Sequence, residues 1–473
     1  MKKTIIARTL LGLLSGGVLL SALQLSVALA AEPLLEAKVV EADTKVIEAG
    51  STDLLSKEAD LVIVSFGKWL PELVNKFNQL PEVQAQLVRQ QQAELAIQAA
   101  DRAVYNPELG LNYQNADTDT YSLGLSQTLD WGDKRGVATR RAQLEAQILF
   151  ADIGLERGQM FAERLLALAE QAQARKALTF AEQQLRFTKA QLNIAKQRLA
   201  AGDLSDVELQ LMQLELASNS ADYALAEQAA LVADGKVIEL LGNDQFAFSE
   251  FIESIDGTFT QFSKASGTEP RLPALTIAYQ QVLLARVNAM QIKADTTADP
   301  TISIAAEKEG TDNKLGIGVS VPLQVRNNYS ELQAIAEKGT SIAEQQFLAR
   351  ERVLTAKQKQ VDHALPRLLA RYQDWRELVQ TSGAKAAKSL SQQWQAGDMS
   401  TSEYLQSRRQ LAASYLVGLS LETAIYQTWL TWMGESGQLM PFVEQIISSP
   451  SMLKQANAAP SITSNAAAGT ANE

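Results

Sequence analysis

Cysteine is absent from the 473 residues, and histidine occurs once, as His363. Without cysteine there is no disulfide and no lipidated N-terminal cysteine, and no Cys/His set exists from which a transition-metal site is usually built. Proline is scarce and unevenly placed. None falls between Pro107 and Pro270, a stretch rich in the helix-favouring Ala, Gln, Leu and Glu. Aromatics make up only 6%. Acids outnumber bases 54 to 43, a net charge of −11, which argues against nucleic acid as a partner and weakly favours cationic or neutral cargo. Catalytic signatures are missing too. Gly316-Ile317-Gly318 lacks the third glycine of a dinucleotide loop. Ser65-Phe66-Gly67-Lys68 matches S-x-x-K without the S-D-N or K-T-G that would complete it, and there is no G-x-S-x-G, P-loop or H-E-x-x-H. No enzyme activity, catalytic residue, cofactor or metal ligand is expected.

The one long apolar run sits at the N-terminus. Lys2, Lys3 and Arg8 precede an apolar stretch from Leu10 to Leu25, and Ala28-Leu29-Ala30 fits an A-x-A cleavage site. Residues 1–30 therefore read as a secretory signal peptide. Three of the 43 bases lie in it and none of the acids, so the exported chain keeps 40 bases against 54 acids, a net charge of −14. No later apolar run is long enough to cross a bilayer as a helix.

What the chain does have is an internal repeat. Ala201-Gly202-Asp203-Leu204-Ser205 with Glu208 returns as Ala396-Gly397-Asp398-Met399-Ser400 with Glu403. Asn106-Pro107 returns as Asp299-Pro300, Leu123-Gly124-Leu125-Ser126 as Ile317-Gly318-Val319-Ser320, and Leu241-Gly242 as Met433-Gly434, in the same order and at nearly the same offset. One architecture is built twice. The predicted organisation is an irregular N-terminal extension over 31–70, a first repeat over 71–242, a linker over 243–270, a second repeat over 271–440, and a tail over 441–473 that is largely disordered from about 452.

Within each repeat a short alternating region precedes a long helical one. Leu109, Leu111 and Tyr113, then Tyr121, Leu123, Leu125, Leu129 and Trp131, alternate with small or polar residues around a turn at 115–120. Ile302 and Ile304, then Leu315, Ile317, Val319 and Leu323, do the same around a turn at 308–313. These patterns predict β-hairpins at about 107–131 and 300–324, with one apolar and one small or polar face and strands long enough to cross a membrane at a tilt. Tyr113, Tyr121 and Trp131 lie where an interfacial aromatic girdle would fall. Four strands cannot close a barrel and open edges are not tolerated in lipid, so further copies must supply strands; three copies would give twelve.

The helical regions carry a coiled-coil seam. Leu185, Leu192 and Leu199 fall seven apart with Thr188 and Ala195 between them; beyond Gly202, Leu211, Leu214, Ser218, Ala221, Leu225 and Val232 continue it. Gly202 and Gly397 read as C-caps and the Asp and Ser after each as N-caps, so that Gly202, Asp203, Leu204 and Ser205, and Gly397, Asp398, Met399 and Ser400, form two tight helix–turn–helix tips. An arm from Trp131 to Gly202 would reach roughly 100 Å. Pro366 predicts a kink or break in the second arm, and Gly154 and Gly158 a loosening of the first.

Strand pair, long arm, glycine tip and return arm, twice over, resemble the outer-membrane efflux protein family, the TolC-like channels. Asn106-Pro107-Glu108-Leu109, the segment Leu129 to Arg135, Val321-Pro322-Leu323 and the two Ala-Gly-Asp-x-Ser tips carry the resemblance, which covers about residues 70–440. Asp130-Trp131-Gly132-Asp133-Lys134-Arg135 is similar to the cobalt-zinc-cadmium efflux branch. The resemblance implies a mainly α protein with membrane β: duplicated coiled-coil hairpins and four strands per chain, assembling as a homotrimer into a twelve-strand β-barrel and a twelve-helix periplasmic α-barrel. It implies docking of the tips to a periplasmic adaptor (a membrane fusion protein) and an inner-membrane pump, in contact with outer-membrane lipid. It also implies pore-gate roles for Glu403, in the place of an acid facing the pore axis, and for Glu208, in the place of one that ties neighbouring helices. Gln406 stands where the family often has a second acid, Trp394 where it has a tyrosine and Met399 where it has an arginine. The expected function is a passive export duct, with heavy-metal cations, drugs or secreted proteins as candidate cargo; the competing reading is a periplasmic coiled-coil adaptor, which normally has a single hairpin.

Overall fold

The computed structural model describes residues 66–242, 248, 251–252, 255 and 272–448, all in one compact unit. Chain order is α1 (Phe66–Gln79), α2 (Pro81–Ala100), β1 (Glu108–Gln114), β2 (Thr120–Thr128), α3 (Lys134–Ala201), α4 (Asp206–Leu241), α5 (Pro273–Asp295), β3 (Thr301–Glu309), β4 (Asp312–Ser320), α6 (Ser330–Leu378), a π-helical turn (Val379–Gly383), α7 (Ala384–Ala396), α8 (Thr401–Ser436) and α9 (Leu439–Ser448). The expected signal peptide, most of the expected extension over 31–70 and linker over 243–270, and the stretch from about 452 lie outside the described residues. The expectation of an irregular 31–70 needs correction at its end, because α1 begins at Phe66 and buries Trp69 and Leu70. The tail likewise opens with a helix, α9, whose Leu439 and Val443 are fully packed.

The four strands form one antiparallel sheet in the order β1-β2-β3-β4. The two hairpins thus pair through β2 and β3, and β1 and β4 are free edges. Both loops are shorter than the sequence pattern implies. The second is only Gly310-Thr311, where Gly310 takes φ 58°, the left-handed value that two-residue hairpin turns require. The register stacks Leu111, Leu123, Ala306 and Leu315 in one row on one face, and Gly110, Gly124, Ala305 and Gly316 in a row on the other. Along β2 the apolar positions are exposed and the small or polar ones half-buried, so the sheet curls around its polar face. Space on that face is tight at Gly318, where a Cβ would lie 2.6 Å from Ser303 Oγ.

From the sheet the chain enters α3, 68 residues long without interruption, or about 100 Å at the α-helical rise. Gly154 and Gly158 do not break it. Midway along, Phe161, Leu165 and Leu168 of α3, Phe77 of α1, Leu365 and Leu369 of α6, Tyr426 and Trp429 of α8 and Phe251 from the linker form the main core. The Tyr426 hydroxyl accepts from the Phe251 amide at 2.9 Å. The expected break at Pro366 does not occur. Its neighbours Leu365 and Leu369 are anchored in this core, and α6 runs on to Leu378. The departure from α geometry comes at Val379–Gly383 instead, where the Thr381 hydroxyl donates to the Glu377 carbonyl at 2.8 Å and Gly383 weakens the helix.

Candidate functional site

The two tips fold with the same chemistry. Gly202 and Gly397 sit at φ 82° and 83°, a left-handed conformation that glycine adopts without penalty. Next to them the Asp203 amide donates to the Arg198 carbonyl at 2.8 Å and the Asp398 amide to the Gln393 carbonyl at 2.9 Å, closing the ends of α3 and α7. Ser205 and Ser400 are the N-caps, each completing a capping box with the glutamate three residues on. Asp203 and Asp398 are exposed turn residues and cap nothing with their side chains, which corrects the N-cap reading of the two aspartates.

The capping boxes employ the two candidate gate acids. The Ser205 amide and hydroxyl donate to Glu208 at 3.0 and 2.9 Å; the Ser400 amide and hydroxyl donate to Glu403 at 3.2 and 2.8 Å. The backbone and hydroxyl donors of Ser205 hold the Glu208 carboxyl below the usual range, despite some desolvation. The Ser400 hydroxyl and then its amide do the same for Glu403. Beyond this common use the two differ. Glu403 and Gln406 are exposed. Glu208 also accepts from the Thr401 hydroxyl at 2.9 Å, joining the first tip to the second.

Trp394 stands at the centre of that junction and faces no open surface. It is fully buried among Leu192, Ala195, Leu204, Met212, Tyr404 and Leu405, with Met399 packed against the cluster. Its ring stacks on Tyr404 at 5.0 Å. Its indole N–H donates to Thr401 Oγ at 3.1 Å, and its carbonyl accepts from Arg198 at 2.6 Å. Indole, threonine hydroxyl and Glu208 carboxylate therefore form one chain of hydrogen bonds across the hairpins.

Three features here carry no local sequence signal. Glu215 of α4 is buried to 5% and held by Arg409 of α8 at 2.6 and 2.8 Å. Arg408 lies 4.3 Å over the Phe187 ring and donates to Gln184 at 2.8 Å. Burial pushes the Tyr404 phenol up to about 12 against the charge of Arg408. Between α3, α4 and α8 these side chains line a cavity of about 280 Å³.

A second built site joins sheet to arms. Asp299, buried to 7%, accepts from Lys134 at 2.6 Å, Tyr105 at 2.7 Å and the Trp131 amide at 3.1 Å. Burial opposes charge on both Asp299 and Lys134, but their mutual bond and the Tyr105 hydroxyl outweigh it, so the acid is shifted down and the amine up. Asp130 accepts from the amides of Lys134 and Arg135 at 2.8 and 2.9 Å and so starts α3. Within the segment Asp130 to Arg135, the Asp130 carboxylate, the Trp131 amide, the Lys134 ammonium and amide, and the Arg135 amide thus have structural partners. Among the described residues no group of three or more His, Cys, Asp or Glu could hold a metal ion.

A four-stranded open sheet, duplicated helical hairpins and a midway helical core define the fold of the outer-membrane efflux channels. The chain superposes on the outer membrane protein VceC of Vibrio cholerae with a TM-score of 0.62 at 15% identity, over 79% of this chain and 98% of that one. The CmeC outer membrane channel of Campylobacter jejuni gives 0.63 at 11% identity, over 89% and 94%. The open state of the Neisseria gonorrhoeae MtrE outer membrane channel gives 0.62 at 11%, over 78% and 89%. No protein-family model and no curated protein sequence matches the chain.

Proposed function

We propose that this chain is the outer-membrane channel subunit of a tripartite efflux system, a passive duct assembled from three copies. The observation that carries the reading is the sheet: an exposed apolar face, a small and polar inner face, and two unpaired edges, continuing into arms of about 100 Å. In lipid such edges must be paired. A periplasmic adaptor has no use for an exposed sheet of this kind or for two equivalent tips. No catalytic role is assigned to any residue; transport is driven by an inner-membrane pump through an adaptor that meets Gly202–Ser205 and Gly397–Ser400. Cationic cargo, heavy-metal cations included, is the class an acidic duct favours, and a ring of exposed Glu403 side chains is the group to concentrate it.

Single-channel recording in planar bilayers tests the reading. Discrete, cation-selective openings are expected from the purified oligomer, and a soluble monomer that never inserts would refute it. Glu403→Gln, which keeps a cap acceptor and removes the charge, should lower cation preference. Unchanged selectivity would reduce Glu403 to a helix cap.

A further inference from the structure

One cation at the outer end of the sheet is left unused by the fold. The register sets Tyr113, Tyr121, Lys308 and Asn313 side by side across the four strands. They share the face of Leu111, Leu123, Ala306 and Leu315, and of Leu109, Leu125, Ile304 and Ile317 in the following row. Lys308 is the only charged side chain on that face of the four strands. It is exposed, and no carboxylate among the described residues pairs with it. Lys314 on the opposite face is the contrast: it is paired with Glu309 and, at 3.8 Å, with Glu307. Beside Lys308 the Tyr113 and Tyr121 rings lie 5.0 Å apart. The Tyr113 hydroxyl donates to Asp119 at 3.2 Å and accepts from Asn115 at 3.2 Å, which engages that loop carboxylate elsewhere.

An unpaired ammonium at the edge of an apolar band, flanked by tyrosines, suits the level where headgroups meet acyl chains. The chemistry missing at Lys308 is an anion, and the anion present at that level is lipid phosphate. We propose that the row Tyr113, Tyr121, Lys308 and Asn313 binds the phosphate of an anionic lipid headgroup in the leaflet at the hairpin end of the sheet. Lys308 supplies the charge, the Asn313 amide and Tyr121 hydroxyl supply hydrogen bonds, and the rings pack on the first acyl carbons. The inference rests on the membrane-spanning reading of the sheet.

The test uses the full-length protein and phosphorylated lipid A, with its dephosphorylated form as the control. Bound lipid is counted by native mass spectrometry after detergent extraction from phosphatidylcholine vesicles doped with either lipid; flotation with the same vesicles reports insertion. Lys308→Gln should weaken retention of phosphorylated lipid A about fivefold per site, Lys308→Arg should restore it, and Lys314→Gln should leave it unchanged. Equal retention by Lys308→Gln and the native protein, equal retention of both lipids, or an equal loss in Lys314→Gln would overturn the site while flotation still upheld the channel. Failure to float with any vesicle would overturn both.

Discussion

Thr401 is buried to 1%, and its hydroxyl accepts from Trp394 while donating to Glu208. Thr401→Val keeps the shape and deletes both bonds, leaving a buried indole N–H unpartnered. The tip should lose about 1–3 kcal/mol, read as faster amide hydrogen exchange in residues 394–408, with Thr401→Ser close to native. Acidity acts through Glu208, whose folded carboxyl is held below its usual value. Its contribution is complete above the unfolded carboxyl pKa of about 4.3 and is lost as pH falls through the lower folded value. Glu403, held low by its own cap, acts in the same direction, so tip protection should be level through neutral pH and decline only in stronger acid, and Glu208→Gln should reduce that decline to the part that Glu403 carries. The serine N-caps were read from the sequence, but the pairing of Ser205 with Glu208 and of Ser400 with Glu403 as capping boxes was not, although both match the Ser-x-x-Glu signature. The bond from Thr401 to Glu208 was not, because it joins residues 193 apart through packing alone.

At the scale of elements, α4 and α8 are fastened by Arg409 and the buried Glu215. Arg409 itself is 63% exposed, so solvent screens its side of the pair, but removing it strands a buried carboxylate. Arg409→Ala should cost about 1–3 kcal/mol, and Glu215→Gln in that background should recover most of it, measured by chemical denaturation of the tip with Tyr404 and Trp394 as probes. Glu215 reads as a surface acid in sequence, since its cover arrives on a distant helix. The helical arms, their glycine tips and both hairpins followed from period and turn chemistry. α1 and α9 straddle the predicted outer bounds of the repeats, and their burial depends on a core contributed by the arms. Pro366 does not break α6 for a related reason: a proline signals a lost hydrogen bond, whereas tertiary anchoring at Leu365 and Leu369 decides whether the helix survives it.

For the whole molecule, the coiled-coil seam divides in two. Leu192 and Ala195 are buried within the chain, but on α4 Val207, Leu214, Leu225 and Val232 remain 64–66% exposed at heptad-compatible spacing. A seam of this kind is completed by another helix, and the neighbouring copy is the candidate under the proposed assembly. Leu214→Glu should convert the oligomer to monomers in light scattering; an unchanged oligomer would place α4 outside the interface. Periodicity exposed the seam in the sequence, while the face left for another copy needed coordinates.

The sheet's free edges belong to its first and last strands. In a closed ring every β1 meets the β4 of a different copy, so damage to β1 leaves its own chain's hairpins paired and spoils the neighbour's closure instead. In a cell making both forms, mixed rings would leak or fail to insert. A lesion at β1 or β4 should accordingly behave as a dominant-negative allele, while one that stops the chain from being made should be recessive.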